Sequence, residues 1–261
     1  MVVGRVGFLG VVFLGLAWGG PVDAAQPRCD TALVLAMDVS GSVSETNFRM
    51  QRDGTAEALE SDRVMRAIGG GGYGQIAVAV TQWSDAAHLT VPWIIVRSPA
   101  DARRLAEALR DTARLMRGST AIGSAIRHAV EQFRDCPCVS DRLVVDVSGD
   151  GRRNSGIPME RARLAAEALG VTVNGLAIRN DEPDVARWYD ENVRMGLDAF
   201  LIEAESFADF ARAIRIKLET EISGRERRYA GLEGAPRSVI AAYQANSTPV
   251  AGQGQAEVAA R

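Results

Sequence analysis

Unbroken apolar runs alternate with longer stretches of helically spaced apolar positions between residues 32 and 222. Residues 32–37 read Ala-Leu-Val-Leu-Ala-Met, apolar at every position, which marks a strand buried on both faces. Residues 75–80, 143–147, 171–178 and 199–202 are mostly apolar and predict further strands. Residues 88–96 predict a further strand, close enough to 75–80 to form a hairpin with it. Helical periodicity falls in 44–67, 98–115, 120–133, 158–169, 183–194 and 206–222. Ser98 followed by Pro99 is a good helix start, and Ser206 reads as the cap of the last helix. The expected fold is α/β: three layers, doubly wound in the Rossmann-like manner, with a mostly parallel six-stranded sheet and one antiparallel edge strand. Ligands of such sheets bind beyond the carboxyl ends of the strands, where strand order reverses. Functional residues are therefore expected in the turns just after strands.

The two ends break this alternation. Arg5 precedes the apolar residues 6–18, and Gly19-Gly20-Pro21 interrupts the run ahead of Val22-Asp23-Ala24. That order predicts a secretory signal over residues 1–24, cut after Ala24. The apolar run is shorter than the ~20 residues a bilayer requires, so no membrane span is expected after cleavage. Export to a periplasm or to the exterior follows. Residues 224–261 are rich in Ala, Gly, Gln, Ser and Pro without sustained periodicity, and predict a tail with too little apolar mass to order. One domain, residues 25–223, remains.

Composition narrows the partners. Hydrophobic residues make up 47% of the 261 and charged residues 24%, as in ordinary globular proteins. Thirty basic against 33 acidic residues leave a net charge of −3, which argues against nucleic acid, and 6% aromatics leave few stacking platforms. Lys217 is the single lysine among the 30 basic residues, which reads as a coding bias without functional content.

Three turns carry the same kind of donor. Asp38-Val39-Ser40-Gly41-Ser42 follows the first strand, Arg117-Gly118-Ser119-Thr120 precedes a helix, and Ser148-Gly149-Asp150-Gly151 follows the fourth strand. Hydroxyls and carboxylates without His or Cys suit a hard divalent ion, Mg²⁺ or Mn²⁺ first and Ca²⁺ next. Turn formation and helix capping would explain any one of these segments, but not three at one sheet edge. Asp146 competes with Asp150 for the last position; strand alternation would bury Asp146 in the sheet, which favours Asp150.

Asp38-x-Ser40-x-Ser42, then Thr120, then Asp150-Gly151, resembles the metal-ion-dependent adhesion site of von Willebrand factor type A domains. The likeness spans about residues 30–223. Residues 146–151 and Val91-Pro92-Trp93 further resemble a family of exported bacterial proteins built from this single domain, with no settled function. The resemblance implies direct ligation by Ser40, Ser42 and Thr120. It implies that Asp38 and Asp150 act mostly through water, with one position open for an Asp or Glu carboxylate of a protein partner. It also implies that the first and fourth strands are parallel neighbours, so that Cys29 and Cys138, each entering one of them, can form a disulfide, with Cys136 as the alternate partner. The expected protein is a binding module rather than an enzyme. A metal-dependent hydrolase and an envelope scaffold with a purely structural metal site are the rival readings.

Other features carry less. Gly69-x-Gly71-x-x-Gly74 follows a helix and opens a strand, the reverse of a dinucleotide fingerprint. His88 and His128, the only histidines, fall away from the three turns and leave no general base there. Asp53 and residues 101–104 read as solvated helix faces, and Trp188-Tyr189 as packing.

Overall fold

The computed structural model describes residues 26–223; the expected signal and tail lie outside them. Six strands form one sheet in the order β3-β2-β1-β4-β5-β6. They are β1 (Thr31–Asp38), β2 (Ile76–Trp83), β3 (Ala87–Val96), β4 (Leu143–Gly149), β5 (Thr172–Ile178) and β6 (Leu201–Ala204). All neighbouring pairs are parallel except β2 with β3. The mostly parallel doubly wound sheet is thus present, with its antiparallel strand at one edge. β1 and β2 are buried at every position, as unbroken apolar runs require. β3 is partly exposed and accommodates Pro92 because an edge strand needs fewer ladder donors.

Helices cover both faces. Leu33, Leu35 and Met37 of β1 pack on one side with α1 (Glu45–Glu60), α2 (Asp62–Gly69), α3 (Pro99–Arg110) and α7 (Phe210–Ser223). Val34 and Ala36 face the other side, with α4 (Ile122–Glu131), α5 (Met159–Ala168) and α6 (Val185–Asn192). The chain runs outward from β1 to β3, then crosses to β4 on the far side of β1. The strand order therefore reverses between β1 and β4.

Several helix boundaries differ from expectation. The single helix expected over 44–67 is two: Ser61, extended at φ −67° and ψ 144°, ends α1 and caps α2 by accepting from the Val64 N–H. Ser98 caps α3 as expected, accepting from the Asp101 N–H. Asp101 is not on a solvated face: it is buried and accepts from the Arg97 N–H and the Ser98 hydroxyl, closing the cap from the other side. α3 stops at Arg110 rather than near 115, and residues 112–121 form no regular element. Ser206 makes no side-chain cap. A 3-10 turn, Phe207–Asp209, precedes α7, and Asp209 accepts from the Glu205 N–H instead.

Cys29 and Cys138 form a disulfide with a Cα separation of 5.9 Å, and Cys136 is a half-buried free thiol. The bridge lies where β1 and β4 begin, reinforced by the Cys29 N–H donating to Val139 O at 2.9 Å. It stands at the opposite end of the sheet from the turns after β1 and β4.

Candidate metal centre

β1 ends at Asp38, and a tight turn follows it. Asp38 Oδ1 accepts from the Ser40 N–H at 2.7 Å, and Ser40 O accepts from the Val43 N–H at 3.0 Å. This turn places the Ser40 and Ser42 hydroxyl oxygens 3.3 Å apart. Ser42 Oγ donates to Asp150 Oδ1 at 2.6 Å, joining the turn after β1 to the turn after β4. The Gly41 N–H donates to Gly118 O at 2.9 Å, drawing in the loop before α4. Thr120 is tied to the β4 turn on both backbone sides: its N–H donates to Asn154 Oδ1 at 2.8 Å, and its carbonyl accepts from the Asn154 N–H at 3.1 Å. The structure thus brings Asp38, Ser40, Ser42, Thr120 and Asp150 to one edge, at the reversal of strand order.

Ser42 is exposed at the mouth, whereas Asp38, Ser40, Thr120 and Asp150 are buried. Asp38 Oδ2 and Asp150 Oδ2 are both buried without a hydrogen-bond partner. Burial first, and then the Asp150 charge, push the Asp38 carboxyl up to about 7. Burial likewise raises Asp150, against the Ser42 hydrogen bond that lowers it. Arg114, beside the turn after β1, donates to the carbonyls of Val39 and Ser40, at 2.9 and 2.6 Å, and makes no hydrogen bond to either carboxylate. Two dry carboxylates with orphaned oxygens beside three hydroxyls fit a hard divalent cation. Among the described residues no group of three or more His, Cys, Asp or Glu forms a metal cluster, so the hydroxyls are needed to complete a donor set.

Backbone approach at this edge depends on Gly149. A Cβ there would lie 2.7 Å from Asp38 Oδ2 and would clash with the Tyr189 hydroxyl. Tyr189 is fully buried in the packing of α6, as expected, yet its hydroxyl reaches this edge and has no partner. Asp146, the competitor of Asp150, lies within β4 and faces α7, where Lys217 Nζ is 2.8 Å from its Oδ1. It does not reach the edge. His88 is exposed on β3, and His128 is half-buried on α4 beside Gln132.

Three contributors escape sequence reasoning. Arg114 sits in what the periodicity assigns to a helix. Gln51 of α1 donates to Asp38 O at 3.2 Å from a position that reads as ordinary helix. Asn154 was available as a loop asparagine after Asp150-Gly151, but nothing in its spacing ties it to Thr120.

The fold, with this strand order and antiparallel edge, is that of a von Willebrand factor type A domain. The solved structure of proximal thread matrix protein 1 from the mussel byssus matches with a TM-score of 0.58 and 20% identity, over 75% of this chain and 49% of that one. The chain therefore spans about half the length of that relative. A structure of the same matrix protein with a zinc-occupied MIDAS motif matches with a TM-score of 0.58 and 20% identity, over 75% of this chain and 48% of that one. The vWF domain of the type V pili tip protein Mfa5 from Porphyromonas gingivalis matches with a TM-score of 0.57 and 10% identity, over 77% of this chain and 97% of that one. Likeness at these identities concerns the fold. Comparison with curated proteins finds no match. The chain belongs to the family described as protein of unknown function (DUF1194), which matches residues 28–226.

Proposed function

We propose that this protein is an exported binding module that holds one divalent cation through Asp38, Ser40, Ser42, Thr120 and Asp150 and thereby captures an Asp or Glu carboxylate on a protein partner. The observation that carries the reading is the pair of buried, partnerless oxygens, Asp38 Oδ2 and Asp150 Oδ2, in turns stitched together by the Ser42–Asp150 bond. Ser40, Ser42 and Thr120 are the direct donors in this reading, and Asp38 and Asp150 act mostly through water. Mg²⁺ or Mn²⁺ suits the all-oxygen set best. A bound cation supplies Lewis acidity toward a carboxylate, and this chain supplies the rest. Ser42 lies at the solvent face, where a partner can arrive. The neighbouring turns carry exposed ion pairs, Arg117 with Glu45 at 3.5 Å and Arg152 with Glu182 at 3.2 Å and Asp184 at 3.7 Å.

Residues 1–24 serve export in this reading, and the Cys29–Cys138 disulfide is consistent with an oxidising compartment. Among the described residues no helix is long and apolar enough to cross a membrane. The mussel and Porphyromonas relatives, named for a matrix and a pilus tip, support adhesion-type binding over catalysis. No histidine stands at the metal edge to serve a hydrolase. The test is capture from an envelope extract on immobilised full-length protein. A partner retained with Mg²⁺ and released by chelator, and lost with Asp150→Ala, is the expected result. Metal-dependent turnover of phosphate esters or peptides by the purified protein, abolished by the same substitution, would move the assignment to the hydrolase.

A further inference from the structure

Lys217, the one lysine in the sequence, is fully buried. It points from α7 at the sheet, with Nζ 2.8 Å from Asp146 Oδ1 of β4, an ion-pair contact without hydrogen-bond alignment. Neither Asp146 oxygen has a hydrogen-bond partner. Glu221, one helical turn further along α7, is also buried. Its Oε1 accepts from Lys217 Nζ and, at 2.9 Å, from Asn174 Nδ2 of β5, while Oε2 has no partner. The Phe200 ring lies 5.4 Å from Nζ. Arg142, the nearby cation, spends its donors on Glu221 O, Ile222 O and the Thr31 hydroxyl. One ammonium therefore faces two carboxylates in a dry site.

As ions these three groups are a poor stabilising device, because desolvation offsets most of their attraction. The same arrangement is well suited to condensation: an amine, a carboxyl carbon beside it, and a carboxyl group that touches the amine and can carry its protons. We propose that Lys217 and Asp146 join in an intramolecular amide, with Glu221 as the catalytic proton carrier. The step begins with an ammonium proton passed to the Asp146 carboxylate, whose Oδ1 is 2.8 Å away. The Nζ lone pair then adds to Asp146 Cγ. Glu221 takes a proton from the nitrogen and returns it to the departing hydroxyl, the C–O bond breaks, and one water leaves. Ammonium plus carboxylate thus become amide plus water, with no other reactant. Contact between the groups supplies an effective molarity on the order of 10⁵ M or more. Burial pushes the Glu221 carboxyl up, to about 7, so it can hold the proton it must donate. Asn174 is the poorer acceptor, since its side-chain oxygen already accepts from the Phe200 N–H at 2.9 Å and its nitrogen donates to Glu221. The product would tie α7 to the central sheet and remove two buried charges.

The chain has one lysine, which makes the test direct. The full-length protein is isolated, its N-terminus is established by peptide mapping, and it is reduced, denatured and treated with an amine-acylating reagent. The expected result is an intact mass lower by one water than the sequence requires, no acylation of Lys217, and a branched peptide joining the segments that contain Asp146 and Lys217. Lys217→Arg restores the full mass of its own sequence, and Glu221→Gln leaves Lys217 acylatable. The wild-type result stands by itself if either variant fails to fold. Full mass with Lys217 acylated overturns the proposal. So does a missing water with Lys217 still acylatable, as from cyclised aspartate, and so does a missing ammonia with Asn174 in the branch.

Discussion

Ser42 Oγ donates a 2.6 Å hydrogen bond to Asp150 Oδ1, joining turns that follow two adjacent parallel strands of the sheet. The contact leaves Asp150 Oδ2 buried and open, and Asp38 Oδ2 is in the same state. The site is thus preshaped by the chain's own bonds before any ligand enters. Preshaping of this kind lowers the ordering cost of binding.

The Tyr189 hydroxyl is buried beside Gly149 without a partner. Tyr189→Phe removes an unsatisfied polar atom and keeps the ring, so thermal unfolding of the metal-free protein should be unchanged or shifted upward. A fall equivalent to ~1 kcal/mol or more would mean that the hydroxyl is hydrogen-bonded. Gly149→Ala should destabilise by about 1–3 kcal/mol, because its methyl group must displace Asp38 and Tyr189.

The disulfide spans a sequence separation of 109 residues. In the chain-entropy model a loop of that size contributes ~4–5 kcal/mol, less native strain. Cys29→Ser with Cys138→Ser should lower stability by that order in denaturant unfolding. Alkylation of denatured, unreduced protein should label Cys136 and leave Cys29 unlabelled; a labelled Cys29 contradicts the pairing.

Arg212 donates to both oxygens of Asp209, each at 2.6 Å, and these bonds hold the carboxyl below its ordinary range. A depressed folded-state value means stability that is present above the unfolded-state value and lost as pH falls through the folded one. Wild-type protein should therefore exceed Asp209→Asn in stability at neutral pH, with the gap closing below about pH 4. A gap that persists in acid would show that neutral hydrogen bonds, not charge, carry the difference.

The strands were legible because most lie under helices on both faces: β1 and most of β2 are unbroken apolar runs, and β4 and β5 are apolar apart from a few positions such as Asp146 and Asn174. Helix ends were less so. Ser61 breaks one periodic stretch into two helices by capping α2 without disturbing the apolar spacing. The periodic residues 111–115 leave the helix because tertiary bonds outbid it: Gln82 holds Ala113 O and the Leu115 N–H, and Arg114 holds Val39 and Ser40. The five oxygen-bearing residues of the candidate centre were legible because they lie in or beside turns at strand ends. Arg114, Gln51 and Tyr189 reach the site from other elements, and only the folded chain brings them there. Lys217 looked like a coding bias, since sequence does not reveal that its one amine is buried between two carboxylates.

Titration calorimetry of Mg²⁺ and Mn²⁺ into the chelator-treated wild-type protein and its Ser40→Ala/Ser42→Ala variant tests the metal centre most directly. Loss of residues that merely orient metal ligands costs about 10–100-fold in affinity, so removing two direct donors should cost at least as much. One ion per wild-type chain, with binding lost in a variant that still folds, is the predicted result. Equal affinity in the two proteins, or no binding by the wild type, would contradict the account.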